Sequence, residues 1–237
     1  MRRSGLRPAW QRWIVVVLGV AALASLPTAI AVWPAKASDV SAAELLASVQ
    51  VSGDAHYSGY AESRGGLVLP VTDEFTDVVD LFGQTSRMRV WWRTAEDWRV
   101  DTITASGETD LFHRAGATVY WDYESNSARL ALEPDLRLPR TADLLPSVLG
   151  QRLLSEATAA EMSRLPERRI AGRTALGLRL TPADERTTIV RVDLWVDPGT
   201  GVPLRVDVAG ASGPPAVTTT FLDFNSELPD GGVTGFV

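Results

Sequence analysis

Hydrophobic and polar residues alternate along the stretch from residue 87 to residue 123, in several short runs. A period of two is typical of a β-strand that is buried on one face. Polar joints such as Ala95-Glu96-Asp97 and Ala115-Gly116 separate the runs and are short enough to connect antiparallel neighbours. The pattern predicts a meander with one apolar face. On that face the runs place Met88, Val90, Trp92, Trp98, Val100, Val119 and Trp121.

The same alternation returns in the second half of the chain. The sequence Asp197-Pro198-Gly199-Thr200-Gly201 is a strong turn signal between two alternating runs, which predicts a hairpin. Ala216 to Phe224 supplies a last predicted strand. The apolar positions of these runs include Leu178, Leu180, Val192, Leu194, Val206 and Phe221.

Helical spacing is found in three places. Ser41 to Gln50 begins with the spacing of a capping box, Gln151 to Leu165 is the longest helical pattern in the body, and Glu74 to Leu81 is a weak one. Val51 to Glu62 reads as the first strand, and Gly65 to Pro70 as a loop. The predicted fold class is α+β, with a curved antiparallel sheet of about 8–11 strands wrapped over two or three helices.

The N-terminal segment predicts export of the body. Residues 14–33 form an apolar stretch that includes 19 consecutive uncharged residues, long enough at about 1.5 Å per residue to cross a bilayer core. Residues 1–13 are basic and should stay in the cytoplasm. Either the stretch is an uncleaved single-pass anchor or it is a signal peptide cleaved after Ala37. Residues 34–50 then form a linker and first helix, and residues 51–237 the main domain.

Charge and cysteine content exclude several classes of function. Residues 1–37 carry five basic residues and no acid, so the remaining 18 basic and 29 acidic residues leave the body at −11. So negative a surface repels phosphate, and we expect no nucleic-acid partner. The chain has no cysteine, which excludes disulfides, thiolate nucleophiles and a lipoprotein anchor.

No catalytic constellation stands out in the sequence. His56 and His113 lie far apart and outside any metal-binding motif. We expect each of them to be a strand residue near the surface, and we expect the protein to bind neither a metal nor a cofactor. Carboxylates on the strands, such as Asp101 and Asp110, could serve glycoside hydrolysis only if two of them met in a cleft. Because arginines flank them, cross-strand charge pairs on a solvated face are the simpler interpretation. The chain is therefore predicted not to be an enzyme, with no catalytic residue.

Several segments resemble the periplasmic lipoprotein-carrier superfamily of LolA-like proteins, and within it the N-terminal domain of RseB/MucB-type sigma-E regulatory proteins. The segments are Val51–Gly53 with Tyr57–Tyr60, Met88–Arg93, Asp97–Asp101, Val119–Tyr123, and the hairpin from Leu194–Asp197 through Pro203–Val206. The resemblance implies an antiparallel half-barrel closed by helices around an apolar cavity for acyl chains. RseB-type proteins carry a further C-terminal domain that contacts the anti-sigma factor, and this chain has about the length of the first domain.

The resemblance and the pattern together predict a non-enzymatic, extracytoplasmic domain that binds acyl chains, lipids or lipoproteins. Burying about 15 methylenes at about 0.8 kcal/mol each is worth on the order of 12 kcal/mol before association costs, so such a pocket needs no polar cluster. The thirteen apolar strand residues named above are the predicted cavity wall, although Trp91 and Arg93 would line it if the faces are reversed. The alternative is an envelope-stress regulator that binds an anti-sigma factor or another membrane partner.

Overall fold

The computed structural model describes residues 10, 13–21, 38–66, 82–103, 107–132, 137–228 and 234. The chain divides into two units, Met1–Ala35 and Lys36–Val237. In the first unit residues 13–21 are helical, and most of the predicted 14–33 span lies outside the described residues. None of the helices formed by described residues is long and apolar enough to cross a membrane.

The described residues of the second unit form one curved, unclosed antiparallel sheet of eleven strands, which confirms the predicted α+β class. Its order is β6-β5-β4-β3-β2-β1-β11-β10-β9-β8-β7, so β6 and β7 are the edges. The strands are β1 Tyr57–Gly65, β2 Thr85–Thr94, β3 Asp97–Ile103, β4 Glu108–Arg114, β5 Ala117–Asp122, β6 Ser127–Leu132, β7 Met162–Ile170, β8 Arg173–Leu180, β9 Arg191–Val196, β10 Pro203–Ala209 and β11 Val217–Asn225.

Tight turns set the pairing of neighbouring strands. Ala115 and Gly116 have φ of +50° and +77°, and Ala171 and Gly172 have +48° and +75°, the left-handed pairs that suit the twist of a two-residue hairpin. The predicted turn from Asp197 to Gly201 joins β9 to β10, with the Asp197 carboxylate accepting from the Thr200 N–H at 3.1 Å. These turns give a meander from β1 to β6 and another from β7 to β11, joined where β1 pairs with β11.

The first helix, α1 (Ala42–Gln50), confirms the predicted capping box. The Ser41 hydroxyl accepts from the Glu44 N–H at 3.2 Å, and the Glu44 carboxylate accepts from the Ser41 N–H at 2.8 Å. Leu45, Leu46 and Val49 are buried in one core cluster with residues of β8 and β9. The apolar stripe of α1 therefore covers the half of the sheet that contains these strands.

Two predicted boundaries are wrong. The first strand was predicted from Val51, but Ser52–Asp54 is a short 3-10 helix and β1 begins at Tyr57. The helix predicted over Gln151–Leu165 is instead α2 (Pro146–Leu154), followed by a 3-10 turn and the edge strand β7. Pro146 begins α2 because its ring suits the first helical position, while Met162 and the residues after it pair with β8. The weak helix predicted over Glu74–Leu81 lies outside the described residues, and so does most of the Gly65–Pro70 loop.

Helix α2 packs closely on β9 and β10 because of a glycine. A Cβ at Gly150 would lie 2.8 Å from Pro203 Cγ, a distance that real Cβ atoms essentially never show, and 3.1 Å from Leu194 Cδ2, which is tighter than most real contacts. The backbone of α2 at Gly150 therefore packs directly against the side chains of Pro203 and Leu194. Together α1 and α2 cover the concave face, where two clusters of buried apolar side chains form the core.

Candidate functional site

Eleven of the thirteen predicted wall residues lie on the concave face and are buried. The strand register places Tyr57, Trp92 and Trp98 side by side, and Val206, Leu194 and Leu178 likewise. The concave face of β2 is therefore the one that carries Val90 and Trp92, which are buried, whereas Arg93 is exposed on the other face. The eleven residues are Met88, Val90, Trp92, Trp98, Val100, Leu178, Leu180, Val192, Leu194, Val206 and Phe221.

Val119 and Trp121 lie on the opposite, convex face. Val119 is paired with Phe112, and Phe112 with Arg99, whereas Thr118 is paired with His113 on the concave side. Both residues are half-buried. Tyr120, between them, packs against the concave core instead. The predicted face of β5 is therefore wrong. The side chains on the concave side are those of Thr118 and Tyr120, one position away from Val119 and Trp121.

The concave face is filled by the protein's own side chains in the described residues. Met88, Val90, Val100, Leu178 and Leu194 have no exposed surface, and they pack in clusters with the apolar side chains of α1, α2 and the 3-10 helix Thr141–Leu144. In the described residues, the wall positions are therefore occupied by contacts with the protein's own helices. The eleven buried wall residues thus belong to the packed core in this conformation.

A row of stacked rings crosses the concave face, one from each of five neighbouring strands. Tyr57 stacks on Phe224 at 5.5 Å between ring centroids and on Trp92 at 6.0 Å; Trp98 follows at 5.5 Å from Trp92 and His113 at 5.0 Å from Trp98. His113 is buried, contrary to the predicted surface position, while His56 is exposed. Sequence patterns alone do not place Tyr57, Phe224 and His113 in one row, because only the strand register shows that these rings are adjacent.

Polar groups at the row are paired with the protein. The Trp92 indole N–H donates to the Gly53 carbonyl at 3.0 Å, and the Tyr57 hydroxyl lies 2.5 Å from Ser147 Oγ. Burial raises the pKa of Tyr57 well above its usual value, so this phenol stays neutral. These bonds tie the row to α2 and to the turn before β1, which supports a structural role for the aromatic residues.

A cleft of about 270 Å³ opens at one end of the row. That volume is just below the usual range for small-molecule pockets, and the lining is mixed rather than apolar. Arg140 lies over Trp98 with its guanidinium carbon 4.8 Å from the ring centroid. The lining residues are Trp92, Ala95, Glu96, Trp98, His113, Gly116, Arg137, Arg140, Ala142, Asp143, Val148 and Arg152.

Asp143 organises the charged side of the cleft. Its buried carboxylate accepts from Arg137 at 2.6 and 2.8 Å and from the Arg140 N–H at 2.8 Å, and Arg152 lies 3.9 Å away. Burial alone would raise the pKa of Asp143, but the Arg137 and Arg140 hydrogen bonds and the Arg137 charge hold it below its usual value. The ionised carboxylate is thus the stable form in the folded protein.

We expect Asp143→Asn to lower the free energy of unfolding by about 2–4 kcal/mol at pH 7, since Arg137 loses its charged partner. Because the folded-state pKa is lowered, this contribution is present above the ordinary aspartate pKa and disappears as the pH falls through the folded value. Urea unfolding at pH 7 and at about pH 3 measures both. Asp184→Asn, at an exposed pair with Arg186, is the control and should change little. An equal loss of unfolding free energy for Asp143→Asn at both pH values would contradict a lowered pKa of Asp143 in the folded protein.

The carboxylates Asp101 and Asp110 do meet, but not in a cleft. They are directly opposed on β3 and β4, each is 1% exposed, and both contact Arg99 on the convex face. Burial, with the charge of Asp101 beside it, raises the pKa of Asp110 to about 6. The predicted charge pairing is confirmed by the contacts of both acids with Arg99. The prediction that these pairs lie on a solvated face is wrong, because both carboxylates are buried. Both carboxylates are held by Arg99 on one face of the sheet and do not flank a substrate cleft, as glycoside hydrolysis requires.

Comparison with known proteins supports the resemblance seen in the sequence. The family model of the MucB/RseB N-terminal domain matches residues 124–229. The chain is similar to that domain. The match spans β6 to β11 and α2, so of the segments that suggested the resemblance only the hairpin from Leu194 to Val206 lies within it. No curated protein sequence matches the chain.

Two solved structures that contain MucB show the same fold. A crystal structure of MucB has a TM-score of 0.52 at 16% identity, over 81% of this chain and 63% of that one. The MucA/MucB complex from Pseudomonas aeruginosa gives 0.52 at 18%, over 81% and 62%. A LolA-superfamily protein from Nitrosomonas europaea gives 0.31 at 14%, over 81% and 96%. The chain thus spans a little under two thirds of the length of the MucB chains, and the resemblance to this group of folds is confirmed.

Proposed function

We propose that this protein is an extracytoplasmic, non-enzymatic binding domain with a regulatory role, of the kind formed by the MucB/RseB N-terminal domain. The observation that carries the proposal is the match of residues 124–229 to that family. The shared fold with MucB supports it over a larger part of the chain. The basic N-terminal residues and the apolar stretch after them support export of the acidic body.

The proposed partner is the extracytoplasmic segment of a membrane protein, in the first place an anti-sigma factor. One similar structure is a complex of MucB with MucA. In our chain the concave face is filled by its own helices among the described residues, which favours a partner that binds on the outside of the sheet. A protein segment meets this requirement more easily than an acyl chain does.

Edge strand β6 is the surface that best suits an extended segment. It lies in the part of the chain that matches the family, and among the described strands it pairs with β5 alone. Leu130 and Leu132 are 66% and 76% exposed on it. Edge β7, in contrast, carries Pro166 and several arginines, which discourage strand addition. A partner segment that adds a strand to β6 would bury these leucines.

The test is a calorimetric titration of the full chain with the purified extracytoplasmic segment of the anti-sigma factor from the same organism. We expect saturable binding that Leu130→Lys weakens by at least about tenfold, or 1.4 kcal/mol. Leu138→Lys, at an exposed leucine outside the strands, should bind as the wild type does. Absence of binding, together with an unchanged envelope-stress response on deletion, would contradict the proposed partner. Equal binding by both variants would exclude β6 as the surface.

Binding of an acyl chain or lipidated protein is the second candidate. The observation that favours it is the shared concave face of eleven predicted wall residues. Helix α1 would have to move away from the sheet, because Leu45, Leu46 and Val49 occupy the face. Organic extraction of protein purified from membranes, followed by mass spectrometry, should then yield about one acyl ligand per chain. Recovery of no lipid, with the chain still folded, would contradict this candidate.

A further inference from the structure

The convex face carries a group of carboxylates that the proposed function does not use. Asp101 and Asp110 are opposed on β3 and β4, and Glu108 precedes Asp110 by two residues, so it shares the same face. One carboxylate oxygen from each of the three lies within 4.8 Å of the other two. We call these three residues the acidic cluster.

The charge of the acidic cluster is only partly balanced. The Arg99 guanidinium donates to both oxygens of Asp101, at 2.6 and 3.0 Å, and to Asp110 Oδ2 at 2.7 Å. With all three acids ionised, the cluster and Arg99 together carry a charge of −2. Mutual repulsion at such short distances favours the arrival of a further positive charge.

One oxygen of the acidic cluster is buried and has a free hydrogen-bonding capacity. Asp110 is 1% exposed, and its Oδ1 has no hydrogen-bond partner among the described residues. A buried, ionised oxygen without a partner is costly, so such atoms mark strain or the position of an absent ion or water. Arg99 satisfies Oδ2 but leaves Oδ1 without a hydrogen-bond partner in the part of the chain that the structure describes.

The chemistry of the cluster selects the class of ion. All three ligands are oxygens, which suits hard cations and not zinc or copper. Calcium accepts several carboxylates in a flexible geometry, whereas magnesium usually keeps several waters and binds only one or two carboxylates. A group of three carboxylates therefore fits calcium better. We propose that Asp101, Glu108 and Asp110 form a binding site for a calcium-type divalent cation.

A bound cation would link the two strands at the end of the β3–β4 hairpin. Ile103 is paired with Glu108, so the site lies where the two strands approach their connection. Trp121 is paired with Asp110 on β5, and Tyr123 follows on the same face. Both aromatic residues are therefore placed to report on an ion in the site.

Terbium, which replaces calcium and luminesces when a nearby tryptophan is excited, is the probe. Added to the full chain in mild detergent, it should give saturable emission that CaCl₂ displaces. Glu108→Gln should weaken terbium binding by at least about tenfold, since the site loses one charged ligand. Trp121→Phe should lower the emission and leave the affinity unchanged.

Two controls keep the proposal falsifiable. Glu185→Gln changes an exposed glutamate of the same type and should bind terbium as the wild type does. Glu108 is half-buried and outside the Arg99 hydrogen bonds, so its variant should fold, and circular dichroism verifies this. Emission that does not saturate, that CaCl₂ fails to displace, or that Glu108→Gln and Glu185→Gln leave equally intact would overturn the site.

Discussion

Leu178→Ala is expected to lower the free energy of unfolding by about 2–5 kcal/mol. Leu178 has no exposed surface and lies on β8 beside Leu194, in the core cluster that contains Val49 of α1. Removal of its side chain leaves a cavity that strands paired on both sides cannot close easily. Urea unfolding followed by far-UV circular dichroism provides the measurement.

Leu132→Ala is the matched control, because Leu132 is 76% exposed on the edge strand β6. Its effect on the free energy of unfolding should stay within about 0.5 kcal/mol.

The size of the loss at Leu178 also distinguishes the two candidate functions. A loss below about 1 kcal/mol at Leu178 would indicate a face that is open in solution, which would contradict the packed core and favour the acyl-binding candidate.

Arg99→Met is expected to cost about 3–5 kcal/mol at pH 7, because it leaves two buried carboxylates without their positive partner. Arg99 also lies over two aromatic rings, with its guanidinium carbon 4.6 Å from the centroid of Phe112 and 5.1 Å from that of Trp91. Methionine preserves much of the apolar contact, so the loss reports mainly on charge. Equilibrium unfolding in urea again measures the effect.

The double variant Arg99→Met/Asp110→Asn tests the cause. If repulsion between Asp101 and Asp110 is responsible, neutralising one acid should restore part of the lost stability, which makes the two changes non-additive. Arg186→Met, at the exposed pair with Asp184, should change stability by less than about 0.5 kcal/mol. Full additivity of Arg99→Met and Asp110→Asn would contradict the buried charge cluster.

The fold class could be predicted because its signals are local. The alternation in β2 and β3, the capping box at Ser41 and the turn at Asp197–Gly201 depend on residues a few positions apart, and the structure confirms each of them. The helix predicted over Gln151–Leu165 failed for the opposite reason. Met162 and Leu165 have helical spacing, but pairing with β8 through the Ala171–Gly172 turn outweighs that preference.

The face of β5 shows where a local pattern becomes ambiguous. Val119 and Trp121 alternate with Thr118 and Tyr120, so apolar side chains occur on both faces and hydrophobicity alone does not choose between them. The tight turn at Ala115–Gly116 chooses, because it pairs Arg114 with Ala117 and so sets Thr118 opposite His113. A shift of one residue reverses every side chain in the strand.

The sequence by itself determined that this is an α+β protein with an apolar sheet face, an acidic body and no cysteine chemistry, because composition and periodicity are properties of the chain alone. Only the tertiary structure decided what the apolar face covers. Packing against α1 and α2 buries eleven of the predicted wall residues, and strand register brings Asp101, Glu108 and Asp110 together. Both outcomes depend on contacts between residues distant in sequence, and such contacts leave no periodic signal in the chain.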